Sequence, residues 1–191
     1  KSETGERGDF VRLEGSNEVF LTDKALSLYM DMKASYWSYL KFFGGLQGKD
    51  IMRVSVRSAL RFKEEGERRF SYTLIQSEEK RGGWQVLEPS SQRGTALDDG
   101  EVDLVAGNLA DFEGSEFALA AKDTGLDSPA AEVLFSTLDN KDYRLLIGNR
   151  SGEDQYYARS EGSSYLYLVP EWRIKAVLKP LEELRPKQEK K

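Results

Sequence analysis

The chain contains neither histidine nor cysteine among its 191 residues. Without these residues, the Ser-His-Asp and Cys-His nucleophile systems cannot be assembled from this chain. Zinc sites built from Cys and His, thiol redox chemistry and histidine pH switching are excluded for the same reason. The absence of cysteine does not fix the compartment, because it suits both a reducing cytosol and an oxidising cell envelope.

Long apolar runs and an excess of positive charge are also missing. No stretch reaches the roughly 18 consecutive apolar residues that indicate a membrane-spanning helix. Lysine and arginine number 28 against 33 aspartate and glutamate residues, so the net charge is −5. We therefore predict no nucleic-acid partner, because such a surface needs clustered basic residues. The apolar fraction of 39% is sufficient for one folded domain or two small lobes.

One passage of the sequence occurs twice. Residues 12–21, RLEGSNEVFL, and residues 159–168, RSEGSSYLYL, lie 147 positions apart and share Arg, Glu, Gly, Ser and the final Leu. Each copy is followed by a stretch with the i, i+3/i+4 apolar spacing of an amphipathic helix. Because repeats define architecture, we predict the closing hairpin and helix of a partial unit, followed by one complete copy of that unit.

This repeat sets the predicted domain boundaries. The partial unit covers residues 1–48, the complete unit covers residues 49–186, and a charged tail covers residues 187–191. Within the first of these, a helix is predicted over residues 23–43, where Gly44-Gly45 provides a C-terminal signal.

The remaining periodicity predicts an α+β fold with mainly antiparallel sheets of about eight to ten strands and three helices. Alternation of apolar and polar residues places the strands. The predicted strands cover residues 10–13, 19–21, 50–56, 70–75, 84–87, 132–138, 143–147, 156–159 and 165–169. A second helix follows Asp98, its predicted N-cap, with Glu101 at the capping-box position. The third begins near Glu171, and Pro180 is expected to kink or divide it.

Two local patterns invite a ligand-binding interpretation. Residues 44–50, GGLQGKD, are similar to a phosphate-binding loop, but the spacing is one residue short and Asp50 stands where a metal-binding Ser or Thr belongs. The acidic group Asp98, Asp99, Glu101 and Asp103 could bind Ca²⁺. Carboxylates in a first helical turn also cap free N–H groups, and we favour capping. We predict no catalytic residue, no cofactor and no metal site.

Aromatic residues near the end of the chain form a candidate interaction surface. Tyr156, Tyr165 and Trp172 could stack on sugar rings or on a peptide. Along a strand, one member of each adjacent pair points inward, so core packing is the competing interpretation and the one we favour.

A family resemblance rests on an ordered series of motifs. The series starts with GWQVLEP at residues 83–89 and a helix over residues 102–109, and continues with TGLDSP at residues 124–129. The motifs LLIG, YYAR and LYLV complete it at residues 145–148, 156–159 and 166–169. Together they resemble an uncharacterised bacterial family, known mainly as a domain of unknown function, over residues 50–184 and weakly over residues 10–43.

The resemblance implies a setting and a class of partner. Members of that family are anchored envelope proteins, often encoded beside ABC-2-type transporters of the gliding-motility kind, and have no established catalytic residues. It implies an extracytoplasmic domain on the periplasmic side of the inner membrane, anchored by an upstream segment. We predict a non-enzymatic accessory or interaction domain whose partners are ABC transporter subunits or another envelope protein. The alternatives are a carbohydrate- or peptide-binding module and, least favoured, a carboxylate-based hydrolase.

Overall fold

The computed structural model describes residues 8–12, 14–22, 26, 40–77, 83–118 and 121–187. The chain divides into two compact units, Lys1–Ser38 and Tyr39–Lys191. This division falls ten residues before the predicted boundary at residue 48. The difference has a physical reason, because Phe43 is buried in the core of the second unit and Phe42 packs against that core.

The first unit contains a two-stranded antiparallel sheet. Strands β1 (Phe10–Arg12) and β2 (Val19–Leu21) pair with Arg12 opposite Val19. The turn between them places Gly15 at φ +78°, a conformation that favours glycine. This is the hairpin that the sequence predicts. The helix predicted over residues 23–43 lies mostly outside the described residues, and at its end Lys41 forms a β-bridge with Glu113 instead.

The second unit is built on one eight-stranded sheet. The strands are β3 (Ile51–Phe62), β4 (Gly66–Gln76), β5 (Trp84–Glu88), β6 (Glu116–Phe117), β7 (Ala131–Thr137), β8 (Asp142–Ser151), β9 (Gln155–Ser160) and β10 (Tyr167–Pro170). Their order in the sheet is β5-β4-β3-β7-β8-β9-β10-β6, and every neighbouring pair is antiparallel. This agrees with the predicted antiparallel α+β class.

The described residues contain two α-helices, so the prediction of three helices is not confirmed. These are α1 (Asp99–Ala110) and α2 (Glu171–Val177), and a 3₁₀ turn over Leu181–Leu184 follows Pro180, where the sequence predicts a division. Further 3₁₀ turns cover Gly48–Asp50 and Ser90–Gln92. Within the described ranges, no helix is both long and apolar enough to cross a membrane.

Helix α1 covers one face of the sheet. Its side chains Val102, Val105 and Leu109 are at most 1% exposed and belong to the same core as Val54 and Val56 of β3. The helix begins as predicted, because the Asp98 carboxylate accepts hydrogen bonds from two free N–H groups of the first turn. Removal of this apolar surface from water is the main driving force that holds helix and sheet together.

A close backbone contact fixes α1 against the 3₁₀ turn before β3. A Cβ atom added at Gly48 would lie 2.7 Å from the backbone nitrogen of Gly107, which no real side chain tolerates. A Cβ atom at Gly107 would meet no atom within 4 Å. The contact therefore depends on glycine at position 48 and not at position 107.

We predict opposite stability changes for the two glycine substitutions. Gly48→Ala should destabilise the protein by about 1–3 kcal/mol, because the helix must move to admit the methyl group. Gly107→Ala should stabilise it by roughly 0.5–1 kcal/mol, because alanine is the better helix former. Urea unfolding followed by circular dichroism measures both. A Gly48→Ala protein as stable as the wild type would contradict the contact.

Candidate functional site

Glu171 is a buried carboxylate at the first residue of α2, only 9% exposed. It accepts hydrogen bonds from the Arg150 guanidinium, from Lys175 Nζ at 2.9 Å and from the Lys63 backbone N–H at 3.2 Å. The Tyr156 hydroxyl lies 3.1 Å from the same carboxylate. Two cations and two neutral groups therefore surround one buried negative charge.

The surroundings of Glu171 decide its protonation. Burial raises the pKa of a carboxyl group, but the hydrogen bonds from Lys175 and Arg150 outweigh burial and lower the pKa of Glu171 to about 2. Burial, assisted by Glu171, raises the pKa of the Tyr156 phenol to about 12. Glu171 therefore carries no proton at neutral pH and cannot serve there as a general acid.

Glu132 is a second buried carboxylate, on the face of the sheet opposite α1. The Arg57 guanidinium donates to it at 2.9 Å, and the Arg144 guanidinium also contacts it. Burial acts to raise the pKa of Glu132, but the hydrogen bonds from Arg57 and Arg144 dominate and lower it. Arg144 also pairs with Glu161 at 2.7 Å. These ion pairs tie β3, β7 and β8 together as cross-strand contacts.

The acidic group near the start of α1 is engaged by protein groups. Asp99 accepts the Trp84 backbone N–H at 2.8 Å, and Asp103 accepts the Trp84 indole N–H at 2.9 Å. Glu101 pairs with Lys179 Nζ at 2.8 Å. Asp98 therefore caps the helix as predicted, whereas Asp99, Glu101 and Asp103 bind Trp84 and Lys179 instead of N–H groups of the first turn. Among the described residues, no set of three His, Cys, Asp or Glu side chains is arranged to hold a metal ion.

The predicted aromatic surface is only partly exposed. Tyr156 is 1% exposed and belongs to the core, so it cannot contribute to a binding surface. The reason is the strand alternation that favoured core packing, which turns Tyr156 inward beneath Arg150. Tyr165 and Trp172 are 60% and 63% exposed. One face of the Trp172 ring is covered by the Arg173 guanidinium, 4.7 Å from the ring centroid.

Three adjoining hollows share Tyr143 as a lining residue. Their volumes are about 310, 360 and 230 Å³. The first two lie where the segment that enters the second unit meets the end of β7 and the start of β8, and the third lies beside them against β3 and β7. We call this site the Tyr143 groove, and its defining residues are Gly44, Leu46, Asp50, Leu138, Asp142 and Tyr143.

Neighbouring aromatic rings hold Tyr143 in position. Its ring stacks on Phe135 with centroids 5.1 Å apart and meets Phe43 edge to face at 5.6 Å. Leu138 is 61% exposed beside it. Sequence reasoning assigned no role to Tyr143, because the groove is assembled from segments about a hundred residues apart and no local spacing marks it.

The charges of the groove are only partly balanced. Lys141 Nζ pairs with Asp139 at 2.6 Å. Asp142 accepts the Ser136 hydroxyl at 2.6 Å, and Asp50 accepts the Gln47 backbone N–H at 3.3 Å. Neither Asp50 nor Asp142 forms an ion pair within the described part of the chain. The groove therefore combines an aromatic ring and an exposed leucine with two carboxylates that form no ion pair with any described residue.

Residues 84–190 match the family model described as "Domain of unknown function (DUF4340)". The chain belongs to this family. Searches of curated protein sequences and of solved structures gave no match. The family assignment supports the resemblance to a domain of unknown function, and it carries no information about transporters or motility.

The DUF4340 match covers only part of the sheet. It begins at the first residue of β5 and includes every later strand and both helices. In the sheet, however, β4 and β3 lie between β5 and β7. Residues 51–76, which precede the match, therefore complete the sheet of this DUF4340 domain.

The Glu171 cluster generates a pH prediction. Because its folded pKa of about 2 lies below the unfolded value of 4.5, its stabilisation is complete above pH 4.5 and is lost as the pH falls towards 2. Glu171→Gln should cost about 2–4 kcal/mol at pH 7, since it leaves the partly exposed Arg150 and Lys175 without the buried anion that pairs with both. Urea unfolding between pH 7 and pH 3 should show this difference shrinking below pH 4.5.

The matched control is Glu161→Gln, which breaks a more exposed ion pair and should change stability by about 0.5 kcal/mol or less. A Glu171→Gln deficit that stays constant down to pH 3 would show that ionisation of Glu171 is not the source of its contribution.

Proposed function

We propose that the protein is a non-enzymatic interaction domain of the bacterial cell envelope that works with an ABC-type transport system, and that the Tyr143 groove binds its partner. The resemblance described under Sequence analysis supports the envelope setting and the class of partner. The observation that supports the binding role is the composition of the groove: a fixed aromatic ring, an exposed leucine and two carboxylates that form no ion pair with the described residues.

The composition of the groove favours a particular kind of partner segment. Buried aromatic and apolar anchors supply most of the affinity of protein interfaces, and Tyr143 with Leu138 offers such a surface. Asp50 and Asp142 have no cationic partner in the described chain, so a lysine or arginine of the partner would complete their pairing. We expect a partner segment with an apolar residue next to a basic one.

The alternative functions have less support. For a carbohydrate- or peptide-binding platform, Tyr156 is not available because it is buried in the core, and Arg173 covers one face of the Trp172 ring. A carboxylate-based hydrolase needs a carboxyl group with a raised pKa as its acid. The pKa values of both buried carboxylates, Glu132 and Glu171, are lowered instead.

We also propose that the chain contains a structural repeat, in which the first hairpin is the closing part of a partial unit. The two hairpins have matching geometry, which supports this proposal. Arg12 faces Val19 in the first hairpin, and the pairing of Ala158 with Tyr167 gives the second hairpin the same register over the repeated passage. Gly15 and Gly162 both have φ +78°.

The proposed binding role predicts the outcome of co-purification. The full-length protein, expressed with the transporter subunits encoded beside it and extracted in mild detergent, should retain those subunits. Leu138→Asp should lower retention by roughly fivefold or more, because it removes an apolar anchor from the groove. Quantitative immunoblotting of the eluted subunits measures the effect.

Leu104→Asp is the matched control. Leu104 is 59% exposed, almost as much as Leu138, but it lies on α1 and does not line the groove. It should retain the subunits like the wild type. Repeated failure of the wild type to retain any subunit would overturn the transporter partnership, and equal losses for both variants would overturn the role of the groove.

A further inference from the structure

The two hairpins of the chain agree in details beyond their register. In the first, the Ser16 hydroxyl accepts the Glu18 backbone N–H at 3.1 Å. In the second, the Ser163 hydroxyl accepts the Tyr165 backbone N–H, also at 3.1 Å. Each bond joins equivalent positions of the repeated passage. The surroundings of β10 therefore indicate what its equivalent strand, β2, is built to contact.

Strand β10 uses its outer edge to bind another strand. The carbonyl oxygen of Leu166, at the start of the pairing, accepts the Ala118 N–H at 2.8 Å, and that of Leu168 accepts the Ser115 N–H at 2.8 Å. Between these bonds, Tyr167 packs on Phe117 of β6 with ring centroids 5.3 Å apart. Two main-chain acceptors and one aromatic contact thus define the edge.

Strand β2 presents the same groups, and no strand in the described part of the chain pairs with its outer edge. Thr22 N–H donates to the Asp9 carbonyl at 2.9 Å, so Thr22 points its main-chain groups towards the β1 side. Along a strand, successive residues point these groups alternately towards and away from the paired strand, so the carbonyls of Val19 and Leu21 point away from β1. No other described residue is hydrogen-bonded to these two carbonyls. The side chains of Val19, Phe20 and Leu21 are 47–59% exposed.

We propose that the outer edge of β2 is a strand-pairing site for an extended segment of the β6 type, with an aromatic residue flanked by main-chain donors. Phe20 occupies the position of Tyr167 and would receive the aromatic side chain. The carbonyls of Val19 and Leu21 would accept the two N–H groups. A two-stranded sheet is marginal in water and gains stability from a third strand. This proposal does not depend on the Tyr143 groove.

Another free edge in the described chain is protected against such pairing. On β5, the Trp84 N–H is bonded to Asp99 and the Leu87 carbonyl accepts from Arg93. Side-chain bonds of this kind block an edge strand from pairing with other chains. The β2 edge carries no equivalent block among the described residues, and its exposed side chains are apolar.

A fluorescent peptide copying residues 112–119 tests the site on the full chain. We expect saturable binding with Kd below about 500 μM by fluorescence anisotropy. Slower amide exchange should appear at Val19 and Leu21 in nuclear magnetic resonance spectra. Replacing the peptide's equivalent of Phe117 with Asp should weaken binding by roughly tenfold or more, because the aromatic contact with Phe20 is lost.

Two N-methylated peptides provide a matched pair that leaves the protein unaltered. Methylation at the nitrogen of Ala118 removes the donor to the Val19 carbonyl and should abolish binding. Methylation at the nitrogen of Phe117, which points away from the paired strand, should leave Kd within about twofold. Absence of saturable binding up to about 1 mM, equal effects of the two methyl groups, or protection at β5 or β6 instead of β2 would each overturn the proposal.

Discussion

Strand β3 is the constraint on which the rest of the second unit depends. It pairs with β4 on one side and β7 on the other, so it joins the β5-β4 end of the sheet to the strands that follow. Its inward side chains, including Val54, Val56 and Leu60, are at most 2% exposed and belong to the same hydrophobic core as the buried side chains of α1. Both ladders and the helix contact are lost together if β3 is absent.

The groups around this sheet divide into structural and accessible sets. Buried carboxylates are neutralised by arginine and lysine, and the acidic group of α1 is bonded to Trp84 and Lys179. The accessible set includes Tyr165, Trp172 and the two surfaces for which we propose binding, the Tyr143 groove on the second unit and the β2 edge on the first.

Much of the fold could be predicted from alternation and capping, and the exceptions have physical reasons. Strand β5 and the N-cap Asp98 follow local rules, and both were predicted. The sequence does not predict the first half of β4, because this part of the strand is charged and lacks apolar alternation. Arg68 nevertheless lies on the face of the sheet that packs on the core, near the Phe62 ring. There it pairs with Glu65 and Glu183. Two-residue β6 has no periodicity of its own and exists only because β10 pairs with it.

The candidate site was less predictable than the fold. Alternation predicts that one residue of the adjacent pair Tyr156 and Tyr157 turns inward, but it does not say which of the two. Tyr143 lines a groove because the fold places residues 44, 50 and 138 beside it. That placement depends on the order of the strands in the sheet, which local sequence patterns do not give. The passage that occurs twice is a long-range feature that can be seen in the sequence, and its two copies place Gly15 and Gly162 at the same φ in their turns.

The role of β3 and β4 is tested most directly by comparing two fragments. One contains residues 39–191, the compact second unit, and the other residues 83–191, which keep the DUF4340 match but lack both strands. Circular dichroism with urea unfolding should show one cooperative transition for the longer fragment and none for the shorter. A shorter fragment that unfolds cooperatively with stability close to that of the longer one would contradict the claim that β3 and β4 complete the domain.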